Sequence, residues 1–135
     1  VSKAIDSIEL LIQNKGGITG LPTGFSALDS MTSGLHEGEM FVIAARPSMG
    51  KTALAMNIVE HVAIESNKAV AVFSLEMSSM QLVQRMLCSR ARVNSKNLRD
   101  GFIGKQDMGN IGNAAGLLTK AKIFVDDTPG LSILE

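Results

Sequence analysis

Three short apolar runs along the chain predict buried β-strands. They are residues 40–45 (MFVIAA), 69–74 (AVAVFS) and 121–126 (AKIFVD), and the continuous hydrophobicity of 40–45 is typical of a strand covered on both faces. Segments with helical features lie between them. The alternation of strand and helix predicts an α/β fold with a parallel sheet and right-handed crossovers.

Helix signals follow each of the first two runs. Residues 51–65 have the composition of a helix, and Ser78 with Gln81 three positions later has the spacing of a capping box, which predicts a helix start. A weaker helix is expected over 105–120, because each glycine there costs about 1 kcal/mol relative to alanine. That element should therefore be weak or broken. A short helix from Ser26 to Met31 is expected inside an otherwise loop-like region.

The two ends of the chain carry further helical patterns. Ile5, Ile8 and Ile12 lie on one apolar stripe within a predicted helix over 1–15, and residues 16–135 follow as the main domain. Ser132 and Glu135 again have capping-box spacing. Because the chain starts on valine and stops in what resembles a first helical turn, we expect an excerpt of a longer protein.

Composition narrows the class of partner. The chain has 135 residues, is 45% hydrophobic and has 13 basic against 13 acidic side chains, so no overall charge favours nucleic acid or a membrane surface. The apolar runs are strand-length, far shorter than a membrane span. The single cysteine, Cys88, is expected to be buried or half-buried, and His36 and His61 have no companions at metal-ligand spacing.

The candidate chemistry lies in ARPSMGKT, residues 45–52. A phosphate-binding loop needs a strand, a turn with inward N–H groups, a lysine, a hydroxyl for Mg²⁺ and a helix whose positive end faces the anion. Gly50, Lys51 and Thr52 supply the turn, the charge and the hydroxyl in that order. Ala45 replaces the usual first glycine, which alanine can do if its φ is negative.

Longer stretches resemble a known family. Residues 14–135, above all ARPSMGKT and SLEMS (74–78), are similar to the ATPase domain of DnaB-type replicative DNA helicases, which itself uses alanine at the position of Ala45. The resemblance implies a RecA-like P-loop fold, incomplete at its C-terminus, that acts as an ATP-driven motor. Other RecA-like ATPases of the recombinase type, and a non-catalytic assembly module, remain alternatives.

The resemblance also implies ligands and partners. ATP and Mg²⁺ would be held by the loop, with Lys51 at the β- and γ-phosphates and Thr52 on the metal, and the contacts spread over Ala45, Arg46, Pro47, Ser48, Met49, Gly50, Lys51 and Thr52. The whole protein would be a cytoplasmic homo-hexamer on single-stranded DNA, meeting a primase and a loader. The isolated chain is expected to bind nucleotide without turning it over.

Glu76 matches the catalytic glutamate of the family, together with Lys51 as the second catalytic residue. A carboxylate after a strand beside the loop strand could orient an attacking water, whereas the alternative is a favourable charge at a helix start. Asp126 and Asp127 resemble a Walker B end, but turn chemistry is the favoured interpretation, because the resemblance places the Mg²⁺-associated aspartate and the arginine finger beyond Glu135. Arg85, Arg90 and Arg92 are interpreted as a solvated face.

The N-terminal stripe has two interpretations. It covers its own domain, or it lies on the adjacent subunit as the linker helix of the family does.

Overall fold

A computed structural model of the chain describes residues 17–130, so the N-terminal stripe and the Ser132–Glu135 pair lie outside the described residues. The chain divides into two compact units between Val42 and Ile43. Each unit is built from its own set of contacts.

The first unit is organised by one antiparallel bridge. Leu21 and Leu35 donate their N–H groups to each other's carbonyl oxygens, at 2.8 Å in both directions. Gly34 has a φ of 87°, and a Cβ at this position would lie 2.7 Å from the Ile18 side chain, so glycine is required twice over. Helix α1, Ser26–Thr32, lies between the two bridged segments and confirms the predicted short helix.

A buried acid holds α1 in the first unit. Oδ1 of Asp29 accepts the backbone N–H of Thr23 at 2.8 Å and its hydroxyl at 2.7 Å. Both residues are buried. The two donors compensate the carboxylate for the water that it has lost.

The second unit carries the parallel sheet. Its elements are α2 (Lys51–Ile64), β1 (Val70–Phe73), α3 (Ser79–Ala91), α4 (Ser95–Asp100), α5 (Lys105–Lys120) and β2 (Ile123–Asp126). The strands β1 and β2 pair in parallel, with Val70 opposite Ile123 and Phe73 opposite Asp126. The predicted α/β class with a parallel sheet is confirmed.

The core of the second unit lies on one face of this sheet. Met56, Leu82 and Met86 are buried, and alternate strand residues pack against them: Val72, Ile123 and Val125. The opposite face is open, since Phe73 is 72% exposed and Phe124 is 65% exposed. The predicted buried strand at 69–74 is therefore covered on one face only within the described residues, because successive strand side chains point to opposite faces and the core covers one.

The apolar run at 40–45 is not a strand in the structure. Met40 is 86% exposed and Val42 is 77% exposed. Hydrophobicity reports a tendency to be buried, whereas a strand also needs a neighbour that accepts and donates its backbone hydrogen bonds. Among the described residues, no strand pairs with this run, so the predicted strand is wrong here.

Helix α5 corrects a second expectation. It runs without a break over Lys105–Lys120 despite Gly109, Gly112 and Gly116, all of which are exposed. Ala114 on the other side is buried and packs with Ile111, Ala91 and Val93. The tertiary contacts of that apolar side offset the cost of the glycines.

A further short helix occupies the predicted polar connection. Helix α4 begins after Asn94, whose side chain accepts the N–H of Lys96 at 2.9 Å, and it ends at Gly101 with a φ of 77°. These are ordinary helix-end signals, an N-capping asparagine and a left-handed glycine.

Candidate nucleotide site

The turn before α2 has two left-handed residues. Ser48 has a φ of 63° and Gly50 a φ of 90°, and the N–H of Met49 donates to the carbonyl oxygen of Arg46 at 3.3 Å. Ala45 has no positive φ, so alanine at this position is unstrained, as expected. The positive φ angles of the turn therefore fall on Ser48 and Gly50, and not on Ala45, where the sequence departs from the common pattern.

The N-terminus of α2 has no side-chain cap. The helix has 14 residues and begins directly after Gly50, with no side-chain hydrogen bond from its N-cap residue. Uncapped N–H groups at this end carry a partial positive charge. Residues 45–51 are exposed and Thr52 is half-buried, so the junction is open to an anion from solution.

Lys51 and Glu76 lie together across this junction. Lys51 Nζ is 3.8 Å from Glu76 Oε1, and the side chains are 47% and 76% exposed. The pairing strand of β1 is β2 rather than the run at 40–45, so Glu76 does not follow a strand beside a loop strand. The turn after β1 nevertheless brings the Glu76 carboxylate close to Lys51, the first residue of α2.

Side-chain hydrogen bonds hold the turn that carries Glu76. The hydroxyl of Ser74 donates to the carbonyl oxygen of Met77 at 2.6 Å and accepts the Met77 N–H at 3.2 Å. Ser78 then caps α3: its hydroxyl accepts the N–H of Gln81, and Gln81 Oε1 accepts the N–H of Ser78. The predicted capping box is confirmed. The exposed Glu76 is thus carried on a backbone with defined hydrogen bonds on both sides.

The two aspartates after β2 behave differently. Asp126 Oδ1 accepts the backbone N–H of Thr128 at 2.9 Å, and hydrogen bonds from Thr128 lower the pKa of Asp126, in agreement with the turn interpretation. Asp127 Oδ2 instead accepts the N–H of Ser79 at 2.7 Å, although the two residues are far apart in sequence. Sequence reasoning missed this contact, since no local pattern announces it.

Helix α2 also carries a buried carboxyl that sequence reasoning did not single out. Glu60 is 5% exposed, and its Oε1 has no hydrogen-bond partner among residues 17–130. Burial raises its pKa to about 7, opposed by the charge of Arg90. Its position four residues after the buried Met56 places it on the core side of the helix, a signal that the sequence did contain.

The arginines of α3 are only partly a solvated face. Arg85 and Arg92 are exposed, whereas Arg90 Nη2 lies 2.9 Å from Glu65 Oε1. Arg92 has a φ of 55° and ends the helix. This ion pair connects α3 to the residue that follows α2.

Other candidate groups have structural surroundings. Cys88 is buried, as expected, and burial raises the pKa of its thiol. His36 lies 2.8 Å from the hydroxyl of Thr19 and 3.5 Å from Glu39. Over residues 17–130, no three side chains of His, Cys, Asp or Glu come together as a metal site. Nor does any described helix combine the length and apolar character needed to span a bilayer.

The fold and its turns define an α/β protein of the RecA-like class. The profile of the DnaB-like helicase C-terminal domain family matches residues 20–135, and the chain belongs to this family. It is 48% identical over 130 residues to the replicative DNA helicase DnaC of Bacillus subtilis (strain 168). It is 50% identical over 128 residues to the replicative DNA helicase DnaB of Geobacillus stearothermophilus.

Solved structures agree with this family. One solved ATPase domain superposes with a TM-score of 0.89 at 31% identity, covering 98% of this chain and 47% of that one. A DnaB-like replicative helicase, described with its interactions with primase, superposes with a TM-score of 0.86 at 30% identity, covering 99% of this chain and 32% of that one.

The chain spans a minor part of its curated relatives. The alignments cover 96% and 95% of this chain, but 29% of the Bacillus protein and 28% of the Geobacillus protein. Most of the chain therefore supports the family assignment, but the chain matches less than a third of the length of each of these two relatives.

Proposed function

We propose that residues 45–52 bind the triphosphate of ATP. The observation that carries the proposal is the approach of Lys51 Nζ to Glu76 Oε1, 3.8 Å, at a turn followed by an uncapped helix N-terminus. Backbone N–H groups of Ser48, Gly50 and Lys51 would surround the phosphates, and the Lys51 side chain would contact the β- and γ-phosphates. The N–H of Met49, also within this loop, donates to the carbonyl oxygen of Arg46 in the structure. Ala45, Arg46, Pro47 and Met49 form the remainder of this loop.

The residues present suit an ATP–Mg²⁺ complex. Apart from Gly50 and its two chain neighbours, no atom lies within 4 Å of where a Cβ of Gly50 would be, so this side of the turn is open. Thr52 supplies a half-buried hydroxyl as the metal ligand. Bound Mg²⁺ would neutralise charge on the β- and γ-phosphates.

Glu76 is proposed as the residue that orients the attacking water. It is highly exposed, so its carboxylate is open to a substrate, and it lies beside the lysine assigned to the γ-phosphate. In phosphoryl transfer the protein contributes mainly positioning and charge, and a carboxylate at this place supplies both to a water molecule. In the structure the same carboxylate lies 3.8 Å from Lys51 Nζ.

In the whole protein, this domain would drive a replicative helicase. The support is membership of the DnaB-like family and the names of the relatives. We infer a cytoplasmic homo-hexamer in which ATP hydrolysis moves the ring along single-stranded DNA and separates the duplex, with a primase and a loader as partners. The chain by itself would bind nucleotide and leave it intact.

Glu76→Gln in the full-length protein tests the catalytic assignment. We expect ATP turnover to fall by about 100-fold, with nucleotide affinity changed less than about threefold, because the amide keeps the shape but cannot act as the carboxylate does. The matched control is Glu65→Gln, which changes an exposed glutamate that directly follows α2 and, like Glu76, takes part in an ion pair, and it should retain turnover. Turnover of Glu76→Gln close to that of the parent protein would remove Glu76 from the mechanism.

A further inference from the structure

The turn that carries Glu76 is attached to the end of β2 at two points. Before Glu76, the N–H of Ser74 donates to the carbonyl oxygen of Asp126 at 2.9 Å. After Glu76, the N–H of Ser79 donates to the Asp127 carboxylate at 2.7 Å. The last residue of β2 and the residue after it therefore hold both ends of the turn 74–78.

The two attachments differ in kind. The Ser74 contact uses main-chain atoms and continues the parallel ladder, so almost any residue at position 126 would make it. The Ser79 contact requires an acceptor side chain at position 127. A carboxylate that accepts a helix N-terminal N–H makes a short, charge-assisted hydrogen bond, and it also lies at the positive end of the α3 dipole.

Glu76 has little else to fix its place. Its side chain is 76% exposed and its one polar contact among the described residues is the ion pair with Lys51. Exposed pairs of this kind hold a side chain weakly. The backbone of the turn therefore determines the position of the Glu76 carboxylate. A misplacement of about 1 Å is enough to reduce catalysis substantially.

We propose that Asp127 is a positioning residue for Glu76: by accepting the N–H of Ser79, it holds the far end of the 74–78 turn and thereby sets the carboxylate against the phosphate turn. The inference rests on the proposed function, in which Glu76 orients the attacking water. Asp127 itself is assigned no contact with nucleotide and is not a catalytic residue. It acts through the backbone between Glu76 and Ser79.

The neighbouring aspartate gives a matched control. The Asp126 side chain accepts from Thr128 within its own turn and, among the described residues, makes no hydrogen bond to the turn of Glu76. Asp126→Ala and Asp127→Ala thus remove equal charge from adjacent positions, but only the second removes an attachment of the Glu76 turn. In the full-length protein, we expect Asp127→Ala to lower kcat for ATP about tenfold, and Asp126→Ala to lower it less than about threefold.

A second variant removes the same hydrogen bond from its donor side. Ser79 is the first residue of α3, where proline is well tolerated, and the preceding Ser78 has φ −67° and ψ 154°, which suits a residue before proline. Ser79→Pro deletes the N–H that Asp127 accepts while the helix is retained. We expect the same loss of kcat as in Asp127→Ala, and no further loss when the two changes are combined.

The decisive measurement combines Asp127→Ala with Glu76→Gln in the full-length protein. If Asp127 acts only by placing Glu76, the added change leaves the residual single-turnover rate of Glu76→Gln within about twofold. Affinity for a fluorescent ATP analogue should stay within about twofold of that of the matching background in every Asp127 and Ser79 variant. Asp127→Asn, which keeps an acceptor oxygen, should recover most of the rate.

Each result decides between the two hypotheses. If Glu76→Gln leaves turnover unchanged, the catalytic assignment of Glu76 in the proposed function fails and this inference fails with it. If Glu76→Gln is inactive but Asp127→Ala and Ser79→Pro keep the parent kcat, the inference alone is overturned. A loss that recurs at full size in the Glu76→Gln background, or that follows a matching loss of nucleotide affinity, also overturns it, because the effect would then not pass through Glu76.

Discussion

The two turns that meet at Lys51 and Glu76 are built in opposite ways. Within the turn at 45–50 there is one backbone hydrogen bond, Met49 to Arg46 at 3.3 Å, and no side-chain hydrogen bond among the described residues. The turn at 74–78 is held by the side chains of Ser74, Ser78 and Gln81 and by Asp127. Apart from the N–H of Met49, the first turn leaves its N–H groups without a hydrogen bond among the described residues, whereas the second uses those of Ser74, Met77 and Ser78 in hydrogen bonds that hold the backbone around Glu76.

This difference agrees with the roles proposed for the two turns. An anion site made of backbone N–H groups works only if those groups are not already bonded within the protein. A general base or water-orienting group works only if it is held in place before the substrate arrives. Under the proposed function, the unpaired N–H groups of one turn would bind the ligand, and the paired N–H groups of the other would hold the catalytic carboxylate in place.

The largest expected effect concerns nucleotide binding by the turn at 45–50 and its lysine, Lys51. Lys51→Ala should lower ATP affinity of the full-length protein by about 100-fold or more, because the charge on the phosphates loses its partner. The free energy of unfolding should change by less than about 0.5 kcal/mol, since the ion pair with Glu76 is exposed. Fluorescent-nucleotide titration and urea unfolding measure the two quantities.

The matched control is Lys68→Ala, because Lys68 is an exposed lysine in the connection before β1. It should leave both quantities unchanged. Retention of nucleotide affinity in Lys51→Ala would contradict the phosphate assignment for the whole turn.

The next effect tests whether an unpaired polar group always serves a ligand. Glu60 is buried with an oxygen that has no partner among residues 17–130, and burial raises its pKa from 4.5 to about 7. The folded state therefore binds a proton more tightly than the unfolded state, and the contribution of Glu60 to stability falls as pH rises from about 4.5 through 7. Glu60→Gln should remove this fall.

Unfolding by urea at several pH values measures the difference between Glu60→Gln and the parent chain. We expect no difference near pH 4.5 and a gain on the order of 2 kcal/mol for the glutamine at about pH 8. A loss of stability at the higher pH would mean that the Glu60 carboxylate has a favourable role in the fold.

The smallest expected effect is on stability, and it compares two residues of the turn at 45–50. Gly50 has a φ of 90° with open space where a Cβ would lie, so Gly50→Ala adds strain without a clash and should cost about 1 kcal/mol. Ser48 already bears a positive φ of 63°, and Ser48→Gly should change stability by less than about 0.5 kcal/mol. Urea unfolding of both variants gives the two costs. Equal costs would show that backbone conformation does not shape this turn.

The elements that local patterns specify were predicted well. The start of α2, the capping box of α3, the short helix α1 and the two paired strands all depend on residues within a few positions of one another. The residues of the candidate site were likewise chosen from a local pattern, because glycine, lysine and threonine at fixed spacing are typical of a phosphate-binding loop. Their roles toward ATP and Mg²⁺ remain predictions that the experiments above address.

The failures all involve partners distant in sequence. The run at 40–45 has the hydrophobicity of a strand, but no strand pairs with it among the described residues. Glycines weaken α5 locally, but packing of Ala114 with Ala91 and Val93 compensates for them. Asp127 was assigned to a turn of its own, whereas its carboxylate accepts a hydrogen bond from the start of α3.

The sequence by itself determined where the chain turns, caps and presents a lysine, since backbone conformation and capping depend on neighbouring residues. Only the tertiary structure decided which strand β1 pairs with, which face of the sheet is covered and which aspartate holds the turn of Glu76. The physical reason is that these hydrogen bonds and packing contacts join segments distant in the chain. They form only when the folded chain brings those segments together, and the spacing of residues along the sequence does not specify this.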